Sequence, residues 1–223
     1  MITLAIQSKN MDDILDITLS RNIKRIGNLF SPWVITEEGM PEIEVAKKYN
    51  VPYFCHPFKS PKGNFMKEAA FNAFFNSNIY DKTQPICSLD NDIIFPTNMG
   101  DIINPFIEQI NTEEGALWGI LRRQLDDIKK VDNYNTSESI RELKFVDVMP
   151  QVWGYFQMFL PKSIGRKNPY NEFYEINKEG RLNPDGEIRL NFRVERMMKI
   201  NSIHIGKTEQ NWFGRVSERI ITN

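Results

Sequence analysis

A chain of 223 residues with 41% apolar and 26% charged side chains can bury a substantial core as one large domain. Its formal net charge of −1 sets up no global field toward nucleic acid or anionic membrane. Its two cysteines, Cys55 and Cys87, lie in apolar strand-like settings, which argues against a disulfide framework and for buried thiols.

The opening Met1-Ile2-Thr3-Leu4-Ala5-Ile6 lacks a basic leader and is too short an apolar run for a signal peptide. No stretch reaches the roughly eighteen apolar residues of a membrane span, so a cytoplasmic protein is expected. Residues 2–6 predict a first strand, and the spacing of Met11, Ile14, Leu15, Thr18 and Leu19 predicts a helix over 11–23. A strand over 29–36, interrupted by Pro32, follows, and Pro41 opens a helix reaching Lys48. A third strand covers 51–55. Ala69, Ala70, Phe71, Ala73, Phe74 and Phe75 predict a helix over 67–76 that is buried on more than one side. The apolar run 85–89 is a fourth strand. Strands alternating with helices predict a largely parallel sheet flanked by helices, an α/β fold.

The second half is less regular. Helices are expected over 99–109 and 137–143, a strand over 115–121, and a loop or short helix over 124–134. Mixed aromatics over 146–160 suggest strands at the edge of the sheet. Residues 165–189, rich in Asn, Gly, Pro and charge, form a long connection of the kind that often carries function. A helix is expected over 187–198 and a strand over 200–205.

The most informative segment is Leu89-Asp90-Asn91-Asp92. Two carboxylates flanking one residue at the end of a buried strand place hard oxygen ligands at the edge where open α/β sheets bind ligands. This spacing suits a divalent ion such as Mg²⁺ or Mn²⁺ that keeps positions free for phosphate oxygens. An ordinary acidic turn is the alternative, since Asp and Asn favour turns. Lys67, on a helix's first turn, opposes the helix dipole and hints at an anionic partner.

Taken in order, several segments resemble the glycosyltransferases of the A-type nucleotide-diphospho-sugar fold (GT-A), close to the inverting family-two class. Ile6-Gln7-Ser8-Lys9-Asn10 is similar to that family's first strand end, and Ile35-Thr36-Glu37-Glu38-Gly39 to the end of its second strand. Lys67-Glu68-Ala69-Ala70-Phe71-Asn72 resembles its Lys-Ala-x-Ala-Leu-Asn helix start, and Asp90-Asn91-Asp92 its Asp-x-Asp. The resemblance is carried by residues 1–100 and is faint beyond Gly115.

The resemblance implies one GT-A-like domain, with a nucleotide-sugar half over 1–100 and an acceptor half over 101–223. It implies metal-dependent, inverting transfer from a nucleotide-diphosphate sugar, a UDP-sugar first, to a glycan or other hydroxyl. Donor contacts fall on Gln7, Asn10, Glu37, Lys67, Asn72 and Asp90. Mn²⁺ or Mg²⁺ falls on Asp90, Asp92 and His204, one of only two histidines. The family's Glu-Asp pair falls on Glu187-Ile188, so that Ile188 replaces the Asp that is the usual base; either Glu187 or Asp185 could substitute, and the base and the stereochemical course stay open. Trp153 and Trp212 map to the acceptor pocket. A nucleic-acid acceptor is disfavoured by the near-neutral charge. A sugar-phosphate nucleotidyltransferase is disfavoured because residues 7–13 contain no glycine. A catalytically silent sugar-nucleotide or glycan-binding module is the alternative from another class.

Overall fold

In the computed structural model, which describes residues 1–57, 67–146, 156–164, 169–170 and 192–205, the first half alternates as its periodicity dictates. β1 (Ile2–Gln7) is buried along its whole length, the pattern of a strand covered on both faces. α1 (Asp12–Ile26) begins with Asp12 and Asp13 and ends with Lys24 and Arg25, charges that complement the helix dipole. β2 (Phe30–Glu37), α2 (Glu42–Lys48), β3 (Tyr53–His56), α3 (Lys67–Asn76) and β4 (Ile86–Asp90) continue the alternation. β1 pairs in parallel with β2 and β4, and β2 with β3. The C-terminal ends of these four strands therefore lie along one edge.

Pro32 does not interrupt β2. It pairs across from Leu4 of β1, whereas β3 begins its pairing only at Val34. At Pro32 the strand is still an edge on that side, where a missing N–H leaves no gap in the ladder.

β5 (Ile93–Ile94), α4 (Met99–Thr112), β6 (Ala116–Leu125), a 3-10 turn at Ile128–Asn133, α5 (Ser137–Ile140), β7 (Lys144–Phe145), β8 (Phe156–Phe159) and β9 (Val194–Ile205) follow. The mixed sheet runs β3-β2-β1-β4-β8-β6-β9-β5, with β7 beside β6. Two expectations are corrected here. β8 is not at the edge: it is antiparallel to both β4 and β6 and buried at every residue. The helix expected over 187–198 is strand from Val194 onward, because β9 pairs in parallel with β6 from Ala116↔Val194 to Leu125↔Ile205. The pairing overrides helical propensity.

Side chains alternate across β1, and each face acquires its own helices. Leu4 and Ile6 share a core with Leu15 and Leu19 of α1, Ala46 of α2 and Ile103 of α4. Ala5 packs with Phe71 and Phe74 of α3 and with Phe159 and Tyr170. This is a helix–sheet–helix sandwich. No helix among the described residues is long and apolar enough to cross a membrane. Cys55 and Cys87 are free thiols, and complete burial holds that of Cys87 well above the ordinary thiol range.

Candidate functional site

The strand-tip edge gathers most of the residues singled out from sequence. Gln7 ends β1 and lies in register with Asp90 at the end of β4. Glu37 ends β2 and lies in register with His56 at the end of β3. Asp92 follows one turn after β4, and His204 comes from β9, where it pairs with Ile93 on one side and Gln124 on the other.

The Asp-x-Asp turn is held from within. Asn91, only 5% exposed, donates from Nδ2 to Ser8 Oγ at 2.8 Å, and its backbone carbonyl accepts from Thr18 Oγ1 at 2.6 Å. Ser8 in turn donates to Glu42 Oε1, which also accepts the Met11 backbone N–H at 2.7 Å. The middle residue of the motif thus anchors the turn to the start of α1.

Asp92 and His204 meet. Asp92 Oδ2 lies 3.2 Å from His204 Nε2, with both side chains about 5% exposed (5% and 6%). The backbone reinforces this contact, since the Ile205 N–H donates to the Asp92 carbonyl at 2.9 Å. Asp90 is engaged differently: its Oδ1 forms a short ion pair with Lys67 Nζ, both partly buried. Among the described residues no three His, Cys, Asp or Glu side chains cluster tightly enough to enclose an ion by themselves. The donor set fits a divalent cation in the open manner, with a carboxylate and an imidazole nitrogen from the protein and the remaining positions left to a ligand.

Glu37, 4% exposed, is paired with Lys9, whose Nζ lies 2.7 Å from Glu37 Oε1. His56 is buried behind this pair. Burial pushes its imidazole down, the Glu37 charge opposes this and Lys9 adds to it. Asn10 is exposed and adopts a left-handed backbone (φ 55°), a conformation Asn tolerates well. Lys9 and Gln124 were not singled out from the sequence. A polar residue beside a strand end gives no sign of which neighbour it will meet.

Two expected donor residues are bound up in the scaffold. Gln7 Nε2 donates to Ser88 Oγ at 2.6 Å, and the Tyr170 hydroxyl sits 3.2 Å from Ser88 while donating to Gln157 Oε1 at 2.8 Å. Asn72 grips the Tyr170 backbone, donating to its carbonyl at 2.8 Å and accepting its N–H at 3.1 Å. Glu187, Asp185, Trp153 and Trp212 lie outside the described residues.

A cleft of ≈ 380 Å³ between α1 and the 3-10 turn, lined by Arg21, Arg25 and Asp132 among others, shares no residue with this edge. Its arginines are occupied: Arg21 is bidentate to Asp132, and Arg25 donates to the Phe95 carbonyl and to Asn135 Oδ1.

No protein-family model and no curated protein sequence matches the chain. Solved structures do. TarS 1-349 of S. aureus in complex with UDP-GlcNAc superposes with a TM-score of 0.61 at 10% identity, over 92% of this chain and 58% of that one. The mannosyltransferase PcManGT of Pyrobaculum calidifontis, in complex with GDP-Man and Mn²⁺, gives 0.58 at 8% identity over 95% and 58%. Glucosyl-3-phosphoglycerate synthase of Mycobacterium tuberculosis, in complex with Mn²⁺, UDP and glucosyl-3-phosphoglycerate, gives 0.53 at 10% identity over 93% and 72%. The chain spans less than two thirds of the first two structures. At such identities the likeness is one of backbone architecture. The chain has the GT-A, nucleotide-diphospho-sugar transferase fold.

Proposed function

We propose that the protein is a metal-dependent glycosyltransferase that moves a sugar from a nucleotide-diphosphate donor, a UDP-sugar first, to an acceptor hydroxyl. The observation that carries this reading is the contact between Asp92 and His204, two buried metal-type ligands at the strand tips of a GT-A sheet. The neighbouring structures that hold UDP-GlcNAc, or GDP-Man with Mn²⁺, support the donor class and the ion.

In this reading Asp92 and His204 would hold Mn²⁺ or Mg²⁺, and Asp90 would hold the sugar nucleotide. The ion supplies neutralisation of the charge that develops on the departing diphosphate. Lys67, which neutralises Asp90 in the free protein, turns to the diphosphate when donor and cation enter together. Glu37 accepts from the ring N–H of the base, with Asn10 beside it, and Gln7 and Asn72 keep the floor of the site rigid through Ser88 and Tyr170. Inversion requires a base at the acceptor hydroxyl. Glu187, with Asp185 in reserve, is assigned that role, and Trp153 and Trp212 are assigned to stacking on the acceptor. The acceptor half is assigned to residues 101–223.

Titration of UDP with and without Mn²⁺ tests the reading. Asp92→Ala should abolish the metal-dependent part of UDP binding, and unchanged affinity in the presence of metal would reject the site. A module that binds donors without transferring sugar is the second reading, favoured by Ile188 at the family's base position. Slow metal-dependent hydrolysis of the donor to free sugar separates an enzyme from such a module.

A further inference from the structure

His204 is flanked on the side away from Asp92 by Gln124, its register partner on β6. His204 Nδ1 lies 3.0 Å from Gln124 Oε1, and Gln124 Nε2 donates to Asp126 Oδ1 at 3.2 Å. A carboxylate can only accept, so Asp126 holds the amide with its NH₂ outward and its carbonyl oxygen toward the imidazole. The amide oxygen likewise only accepts, and the hydrogen at this contact therefore belongs to His204 Nδ1. The other ring nitrogen, Nε2, is thereby directed at Asp92 Oδ2, 3.2 Å away. A cation shared between these two atoms, a proton or a metal ion in its place, holds such a contact together.

We infer that Gln124 is a positioning residue: backed by Asp126, it keeps a proton on His204 Nδ1 and presents Nε2 to Asp92 as a metal ligand. This rests on the metal reading of the site. It deepens that reading, because it makes the site's readiness a property of a residue that itself touches neither cation nor donor. Partners of this kind, which orient a ligating imidazole, are worth 10–100-fold in metal affinity.

The test uses the full ¹⁵N-labelled chain without metal at pH 8. Long-range ¹H–¹⁵N spectra report the tautomer directly, and with only two histidines in the chain the ring is assigned by comparison with His204→Gln. Wild type should show Nδ1–H. Gln124→Leu should move His204 toward Nε2–H, the commoner form in water, and weaken Mn²⁺ binding, followed by electron paramagnetic resonance, by about tenfold or more. Gln124→Glu gives up the bond to Asp126 but keeps an acceptor facing Nδ1, and should retain the proton on Nδ1 without weakening Mn²⁺ binding.

A ring in wild type without a proton on Nδ1 would overturn the inference. So would Gln124→Leu with wild-type tautomer and affinity. If Gln124→Leu fails to fold, wild type and Gln124→Glu still decide the matter. Wild type that binds no Mn²⁺, whatever its tautomer, would instead bring down the metal reading itself.

Discussion

Asp90 and Asp92 point to different partners because Asn91 between them is turned inward and tied to Ser8 and Thr18. Removing that anchor by Asn91→Ala should weaken metal-dependent UDP binding without touching a ligand directly, and should cost about 1–3 kcal/mol by leaving buried donors and acceptors unmatched; urea denaturation and UDP titration read the two effects separately. Lys67 gives a second prediction at this scale. Its ammonium occupies Asp90 in the free protein, so Lys67→Met should strengthen Mn²⁺ binding in the absence of nucleotide and weaken UDP binding with Mn²⁺ present by about tenfold, about 1.4 kcal/mol. Calorimetric titration in both orders checks it. The acidic pair was legible in the sequence because its chemistry is local: two carboxylates at the end of an apolar run. The partners Lys9 and Gln124 were not, since each acquires its role from a strand that the local pattern does not specify.

At the scale of elements, α1 has no side-chain cap of its own, and Glu42 from the first turn of α2 supplies the acceptor for the Met11 N–H. Burial pushes the Glu42 carboxyl up from its ordinary value of 4.5, against the hydrogen bonds from Met11 and Ser8. A raised value in the fold means that the folded chain binds this proton more tightly than the unfolded one. The resulting stability is complete below the unfolded value and is lost as the pH rises through the folded one. Glu42→Gln keeps the acceptor and should remove this component of the pH dependence of the urea midpoint between pH 4 and 8. Glu42→Ala should destabilise by about 2 kcal/mol at pH 4, where the Glu42 contribution is largest, because buried donors lose their acceptor, and by less as the pH rises. Elements of the first half were legible almost residue by residue, since each strand and helix is long enough to display its period. β9 was misread over 194–198 because its first part is exposed and polar at Glu195 and Arg196, and its pairing with β6 is what makes it a strand.

For the whole molecule, β8 joins the two halves of the sheet. It stands between β4 and β6, and its Phe156 packs edge-on against Phe95 with no exposure. Phe156→Ala should therefore cost about 3–5 kcal/mol, the range for deleting a buried aromatic ring, measured by urea denaturation. A cost below 1 kcal/mol would mean that β8 is not central. This placement escaped the sequence reading because an apolar strand does not state which neighbours it inserts between.

Composition, alternation and the Asp-x-Asp by themselves determined an α/β chain with an acidic tip on a buried strand, because periodicity and residue chemistry act over a few residues. Only the tertiary structure decided that β9 returns beside β5, bringing His204 against Asp92 with Gln124 behind it. That adjacency depends on strand order and register, set by the packing of the whole sheet and by no segment alone.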